Sequence, residues 1–275
     1  MKFYFLNLLV LALIPLTCLG QSELIGQVID QDSKESLPFV NIGFVEKNIG
    51  TVSDGSGYFV LEFPENISPE TLLRFSMLGY ETKEFSLEEF LKNNTLTIPL
   101  KEEVTTLNEV IVTTKRGSYQ TKILGNNTTS KLIYAAFTTN KLGNEMGFVV
   151  RGRKKPMILK QFSISIVEND YGPIRFRLNF YDIKEGLPNK SLIDENIFIE
   201  TDITSGIVRK DLSPYEIVID QDFFIAIEWI EDLGPGKLFF SGGFFGSPLI
   251  ARATSQGTWT KVGSGSVGMN VEVRY

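Results

Sequence analysis

The sequence predicts an all-β protein that consists of two β-sandwiches in tandem. Short runs rich in branched and aromatic residues recur along the chain, and clusters of Gly, Asn, Asp and Ser separate them. In many of these runs apolar and polar residues alternate with the period of two expected of a half-buried strand. No long segment has a helical period. We therefore expect a first sandwich of about seven strands in Greek-key order and a second, larger, jelly-roll-like sandwich.

The first 20 residues have the layout of an export signal, and residues 1–20 are predicted to be a signal peptide. Lys2 gives a basic start, Phe3–Leu16 is almost entirely apolar, and the predicted cleavage site follows Gly20. The apolar run is shorter than the roughly 20 residues that a helix needs to cross a bilayer. The mature protein is therefore expected in the periplasm, at the outer-membrane surface or outside the cell.

Cys18 allows a second interpretation of this segment, in which it is the lipidated first residue of a lipoprotein. Pro15 and Thr17 stand where such a signal usually has Leu and a small residue. Cleavage after Gly20 is therefore favoured over lipidation. Because Cys18 is the only cysteine, that cleavage leaves a mature chain without disulfides.

The sequence contains no histidine, and this narrows the chemistry available to it. Ser-His-Asp and Cys-His catalysis are excluded, as are zinc sites built from His or Cys. Carboxylate pairs, Ser-Lys pairs and oxygen-ligated Ca²⁺ or Mg²⁺ remain compatible with it. The net charge of −6 at pH 7 argues against nucleic acid as a partner. We predict no enzymatic activity, no cofactor and no metal site.

Residues 22–114 are predicted to form the first sandwich. Leu24–Ile29 and Pro38–Ile42 read as strands, with Pro38 where a missing N–H is tolerated. In Tyr58–Phe63 the residues Phe59, Leu61 and Phe63 share one face. The one helical candidate begins at Ser86, which forms a capping box with Glu89.

The connection Ser53–Gly57 has two interpretations. Asp54 and Ser56 offer oxygen ligands beside glycines, as in a calcium loop. The segment lacks the three or four clustered carboxylates that such a loop needs, so a tight hairpin turn is favoured.

Five spaced motifs run through this first region: Ile25–Asp30, Leu37–Ile42, Gly50–Asp54, Gly57–Phe59 and Ser76–Tyr80. Together they resemble the carboxypeptidase-regulatory-like domain over about residues 22–100. The resemblance implies a seven-stranded, transthyretin-like sandwich, abundant in exported proteins of Bacteroidetes-type bacteria. It implies an accessory domain and no peptidase, because the zinc site of carboxypeptidases lies in a separate domain.

Leu107–Thr114 resembles the segment that follows this domain in TonB-dependent outer-membrane receptors. The residues that follow are too few for the rest of such a receptor. The resemblance keeps open an alternative function, an accessory component of TonB-dependent nutrient uptake at the outer membrane.

Residues 115–130 are polar and are predicted to be a linker, and residues 131–275 a second sandwich. In Ile174–Phe180 the apolar residues are expected to face inward, and Arg175 and Arg177 outward. Phe223–Ile230 is apolar on both faces and suits a central strand. The region resembles a second domain that often follows the first one and has no established activity.

Charged residues of the second region have alternative interpretations. Glu228 lies in the most apolar strand, where we expect a buried acid that is hydrogen-bonded to the backbone or paired with Arg. In the alternative of a carboxylate-based glycan hydrolase it is catalytic. The basic run Arg151–Lys155 is read as a solvated hairpin tip rather than a polyanion site. Other acids at strand ends are read as turn residues: Asp182, Glu185, Asp194, Glu195, Asp220 and Asp222.

Phe244, Phe245 and Trp259 are the predicted ligand contacts. The glycines around the paired phenylalanines allow an exposed aromatic shelf that stacks on sugar rings or contacts a protein. The alternative is that these rings turn back into the core. We predict an exported, non-catalytic binding or structural module of the bacterial cell envelope, with a glycan or an envelope protein as its partner. Ligand identity and oligomeric state are left open.

Overall fold

The computed structural model describes residues 21–93, 96–103, 120–152, 156–244, 246–263 and 265–275. The predicted signal peptide, the segment Leu107–Thr114, part of the basic run and Phe245 lie outside the described residues.

The first domain is a sandwich of seven strands and one short helix, as predicted. A three-stranded sheet has the order β4-β1-β7, in which β1 pairs with β7 in parallel and with β4 in antiparallel fashion. A four-stranded antiparallel sheet has the order β3-β2-β5-β6. The elements are β1 Gln21–Asp30, β2 Asn41–Phe44, β3 Ile49–Val52, β4 Tyr58–Pro64, β5 Leu72–Ser76, β6 Lys83–Ser86, α1 Leu87–Asn93 and β7 Thr97–Leu100.

Alternation along the strands builds the core of this domain. Phe59, Leu61 and Phe63 are buried in the core cluster, which confirms the predicted inward face of β4. At the start of α1 the Ser86 hydroxyl accepts the Glu89 N–H at 3.2 Å, which confirms the predicted cap.

The Ser53–Gly57 connection is a tight turn, but the prediction of a hairpin was wrong. It joins β3 to β4, which belong to different sheets, so the chain crosses the sandwich here. The Asp54 carboxylate accepts the N–H groups of Ser56 and Tyr58 at 2.8 and 3.0 Å. Asp suits this position because its short side chain can accept hydrogen bonds from main-chain N–H groups of the same turn.

The second domain is a larger sandwich of two antiparallel sheets. One has the order β13-β12-β17-β10-β19-β20, with β14 also paired to β12; we call it the front sheet. The back sheet has the order β21-β18-β11-β22-β8, with β9, β15 and β16 beside this path. A 3-10 helix spans Ser213–Tyr215. The strands are β8 Thr121–Gly125, β9 Tyr134–Ala135, β10 Glu145–Val150, β11 Met157–Asn169, β12 Ile174–Lys184, β13 Leu187–Ser191, β14 Ile197–Thr201, β15 Gly206–Asp211, β16 Val218–Ile219, β17 Phe223–Trp229, β18 Leu238–Gly243, β19 Leu249–Arg252, β20 Thr260–Val262, β21 Ser266–Val267 and β22 Met269–Arg274.

The core of the second domain lies between these sheets. Phe176, Leu178 and Phe180 point into it, as predicted. β17 lies between β12 and β10 and every one of its residues is buried, which confirms the predicted central strand. The chain crosses repeatedly between the sheets, as in a jelly roll.

The prediction of a linker over 115–130 was wrong for its second half. Thr121–Gly125 is β8, which pairs with β22 in antiparallel register, and Leu124 packs against the core. Polar composition misled the sequence interpretation, because β8 is an edge strand whose side chains are largely exposed. The second domain therefore begins before residue 131.

The two domains are packed against each other. The connection 253–259 between β19 and β20 lies on β2 and β3 of the first domain. The Ser255 hydroxyl donates to Asn41 Oδ1 at 2.6 Å, and Gln256 Nε2 donates to Ser76 at 2.8 Å. A small apolar cluster also spans the boundary, composed of Phe39, Val52, Leu142, Phe198 and Ile230.

No helix in the described part of the chain has the length and apolarity of a membrane span.

Candidate functional site

The outer face of the front sheet carries the chemically distinctive residues of the second domain. Since neighbouring strand residues point to opposite sides, burying one apolar set in the core turns the other set away from it. The outward set is neither fully polar nor solvated. It consists of charged and amide residues near the first domain (Glu145, Arg177, Asn179, Glu228 and Arg252) and apolar residues farther along the same strands (Val149, Tyr181, Phe224 and Ile250).

Arg177 and Glu228 form a buried, bidentate ion pair. Arg177 Nε lies 2.8 Å from Glu228 Oε2, and Arg177 Nη2 lies 2.9 Å from Glu228 Oε1. Arg177 Nη1 also donates to the main-chain carbonyl of Phe39 in the first domain at 2.7 Å. Arg177 was correctly predicted to point away from the core, but it is buried because the first domain covers it.

A second ion pair joins Glu145 and Arg252, and Asn179 links it to the first. Arg252 Nη2 lies 2.7 Å from Glu145 Oε2. Asn179 Nδ2 donates to both carboxylates, at 2.9 Å to Glu145 and 2.7 Å to Glu228. The four charges therefore form one connected network in which each carboxylate has a cationic partner.

The two carboxylates differ in their pKa. Burial raises the pKa of Glu145, and the charge of Arg252 only partly opposes this. Burial also works to raise the pKa of Glu228, but Arg177, Arg252 and Asn179 together outweigh it and lower that pKa. The predicted pairing of Glu228 with Arg is confirmed, and neither carboxylate lines the cavity described next.

A cavity of about 620 Å³ lies on the apolar part of the same sheet. Val149, Ile183 and Ile250 provide an apolar lining. Gly186 of one connection also lines it, and the polar side chains around it come from three other connections and from β20: Arg151, Gln221, Asp222, Ser247 and Lys261. An apolar surface with convergent polar groups is the usual composition of a small-molecule site.

The polar side of the cavity is partly held in place by Asp222. Its carboxylate accepts Arg151 Nη1 at 2.8 Å and the Gly152 N–H at 2.8 Å. In contrast, none of the hydrogen bonds described for the chain engages the side chains of Gln221 and Lys261.

The structure separates the predicted ligand contacts. Phe244 is 70% exposed and follows β18 of the back sheet, two residues before Gly246, which lines the cavity. Trp259 precedes β20 of the front sheet and is half-buried there. Its ring packs edge-on against Phe224 at 5.3 Å and lies 4.8 Å from the Arg252 guanidinium. Phe244 and Trp259 thus lie next to strands of different sheets, one exposed and the other half-buried.

The sequence interpretation missed Gln221, Ser247 and Lys261. Gln221 and Ser247 lie in connections and Lys261 in β20, far apart along the chain, and no spacing rule links them. Among the acids at strand ends, Asp182 does serve a turn, since its carboxylate accepts the Lys190 N–H at 2.6 Å. Asp222 instead organises the cavity.

Comparison with known families identifies the first domain. Residues 24–112 match the family model described as CarboxypepD_reg-like domain. The first domain belongs to this family. The resemblance predicted from the sequence motifs is therefore confirmed, and the CarboxypepD_reg-like domain is the part of the molecule that packs over Arg177.

Other comparisons add no argument about function. No curated protein matches the chain. Among solved structures, the major pilin subunit of Bacillus cereus is similar at 9% sequence identity, covering 90% of this chain and 69% of that chain. The TM-score is 0.19, too low to indicate a shared fold.

Proposed function

We propose that the chain is an exported, non-catalytic module of the bacterial cell envelope that binds a glycan on the front sheet of its second domain. The observation that carries this proposal is the cavity with its apolar lining and its polar rim. A sugar presents an apolar ring face and equatorial hydroxyls, and such a surface matches both kinds of group.

The charges on the rim favour a largely neutral ligand. Arg151 and Asp222 neutralise each other as an ion pair, which leaves Lys261 as the one cation without a carboxylate partner among the described lining residues. The exposed Phe244 offers an additional ring near the Gly246 side of the cavity. Both features suit hydrogen bonding and stacking better than the binding of a highly charged polymer.

A glycan array followed by titration of the purified chain 21–275 tests the proposal. We expect Gln221→Ala combined with Lys261→Ala to weaken binding of the selected glycan about tenfold, the loss of one or two good hydrogen bonds. Phe244→Ala tests the predicted aromatic contact separately. Lys122→Ala, an exposed lysine on β8 of the back sheet, is the matched control. If the Gln221→Ala, Lys261→Ala double variant binds the glycan as tightly as the wild-type chain, the cavity is not the binding site.

The same glycans test the proposed absence of catalysis. Prolonged incubation should release no new reducing ends. The buried network supports this expectation, because Glu145 and Glu228 are both held by Arg and have no exposed surface. Release of reducing ends by the wild-type chain would instead support the hydrolase alternative, and its loss in Glu228→Gln counts only if circular dichroism shows that the variant is folded.

The export part of the proposal rests on the N-terminal sequence. Mass spectrometry of protein recovered from its host should find an N-terminus near Gln21. A chain that retains Met1 would contradict export, and a diacylated Cys18 would select the lipoprotein alternative.

A further inference from the structure

The first domain has a long, regular strand at an open sheet edge. β4 pairs with β1 over seven consecutive residue pairs without a bulge, and the described residues place no strand on its other side. Natural edge strands usually carry Lys, Pro in mid-strand or a bulge that blocks further pairing. β4 has no lysine, its proline is its last residue, and its one charged residue is Glu62. It is therefore open to pairing with another chain.

The outward face beside this edge is unusually apolar. Ile25, Tyr58 and Val60 are 50%, 54% and 50% exposed, and Ile25 lies directly across from Val60. Next to them Glu23 lies directly across from Glu62. Like charges in this position repel each other, and none of the ion pairs described for the chain includes either residue. A partner with cationic and apolar side chains would relieve the repulsion between the two carboxylates and cover the exposed apolar residues.

A groove of about 790 Å³ runs along the same edge. Residues of β3 and β4 line it, together with residues 140–142 and Asp232 of the second domain. Its charged lining residues are Asp54, Glu62, Asp232 and Lys141, so acids exceed bases by two. The groove thus lies beside the open edge of β4, and its lining carries more acids than bases.

We propose that this edge binds an extended, Lys- or Arg-containing segment of a partner protein, which pairs with β4 as an additional strand. Main-chain hydrogen bonds to β4 supply part of the affinity, and alternate side chains of the segment face the groove. On the outward face its cationic residues lie beside Glu62 and its apolar residues beside Val60, the β4 partners of Glu23 and Ile25. The site is separate from the glycan cavity and belongs to the CarboxypepD_reg-like domain.

The charges favour a different protein over a second copy of this chain. Neither β1 nor β4 contains Lys or Arg. Pairing β4 with its own copy would therefore extend the acidic face and bring no cation to it. A foreign basic segment removes the repulsion instead.

The probe is a capped peptide of alternating lysine and valine, as long as the seven residues of β4. Titrated against the chain 21–275 at low salt, it should bind and slow amide hydrogen exchange in β4. A peptide with glutamate in place of lysine should not bind. A peptide with proline in place of valine should also fail, because it cannot complete the hydrogen-bond ladder.

Glu62→Lys is the decisive variant. It should weaken peptide binding about tenfold, the effect of reversing one charge at the contact. It should also raise the melting temperature, since the substituted side chain would attract Glu23 across the strands where Glu62 repels it. Glu35→Lys, an exposed charge reversal outside the groove, should change neither property. Glycan binding by the second domain should be the same in all of these variants.

Three results would overturn the proposal. The first is equal peptide affinity for the wild-type chain and Glu62→Lys. The second is hydrogen-exchange protection elsewhere than in β4. The third is a dimer of the wild-type chain in sedimentation equilibrium that Glu62→Lys abolishes, since the edge would then bind a second copy.

Discussion

At the residue scale, the pair Arg177–Glu228 shows how a charge is retained inside this fold. Two direct hydrogen bonds, the Asn179 amide and the Phe39 carbonyl surround the two side chains. Taking one partner away leaves the other charge buried without compensation, which typically costs about 3–5 kcal/mol. The pair is therefore good evidence that the two domains pack in one specific arrangement. It is weaker evidence that the pair adds much net stability.

We predict that Glu228→Gln lowers the free energy of unfolding by about 3–5 kcal/mol, because Arg177 loses its buried counter-charge. Urea denaturation followed by tryptophan fluorescence measures this. Glu200→Gln is the matched control, since Glu200 pairs with Arg175 at the surface and should contribute less than about 1 kcal/mol. Equal stability of the two variants would show that the buried network does not hold the structure.

At the element scale, the connection 253–259 acts as the contact element between the domains. The Thr254 hydroxyl lies 2.8 Å from the Gly50 carbonyl oxygen and 2.6 Å from that of Leu142. Close approach of this connection to β3 requires a residue without a side chain at position 50. A Cβ there would lie 2.2 Å from the Ser255 carbonyl oxygen.

We predict that Gly50→Ala destabilises the molecule by roughly 1–3 kcal/mol, the usual range for overpacking, because the connection must move away from β3. Calorimetry measures the cost, and faster proteolysis between the domains should accompany it. Gly55→Ala, five residues away, is the control, since its Cβ would have no neighbour within 4 Å. Unchanged stability of Gly50→Ala would mean that the domain contact adapts easily.

At the scale of the whole molecule, two separate cores are joined by a smaller contact. Each domain has its own large apolar cluster, and among the described residues the small cluster around Phe39 and Ile230 spans the boundary. The separate cores are compatible with independent folding of each domain. The boundary of the second domain must lie before Gln120, whose N–H and carbonyl pair with Tyr275.

We predict that a fragment 120–275 is more stable than a fragment 131–275. The shorter fragment lacks β8, which leaves the edge of β22 unpaired and removes Leu124 from the core. The melting temperature should fall by roughly 5–10 °C, given about 2–4 °C per kcal/mol for a domain of this size. Identical melting of the two fragments would contradict the assignment of β8 to the second domain.

The sequence by itself determined the class of fold and the direction of most strand side chains. Phe59, Leu61 and Phe63 on β4 and the inward residues of β12 follow directly from the period of two, because neighbouring side chains on any strand point to opposite sides. The motifs of the first domain were equally informative. Their turn residues are set by local backbone geometry, as the Asp54 turn shows.

Only the tertiary structure decided which outward faces meet water and which elements meet each other. Arg177 points away from the core as its strand requires, yet it is buried, because the Phe39 carbonyl of the other domain lies over it. Thr121–Gly125 is a strand because its main chain pairs with the edge of β22. The cavity likewise depends on four connections that meet across the front sheet. Periodicity reports the side on which a residue lies, whereas burial depends on packing between segments that are distant in the chain.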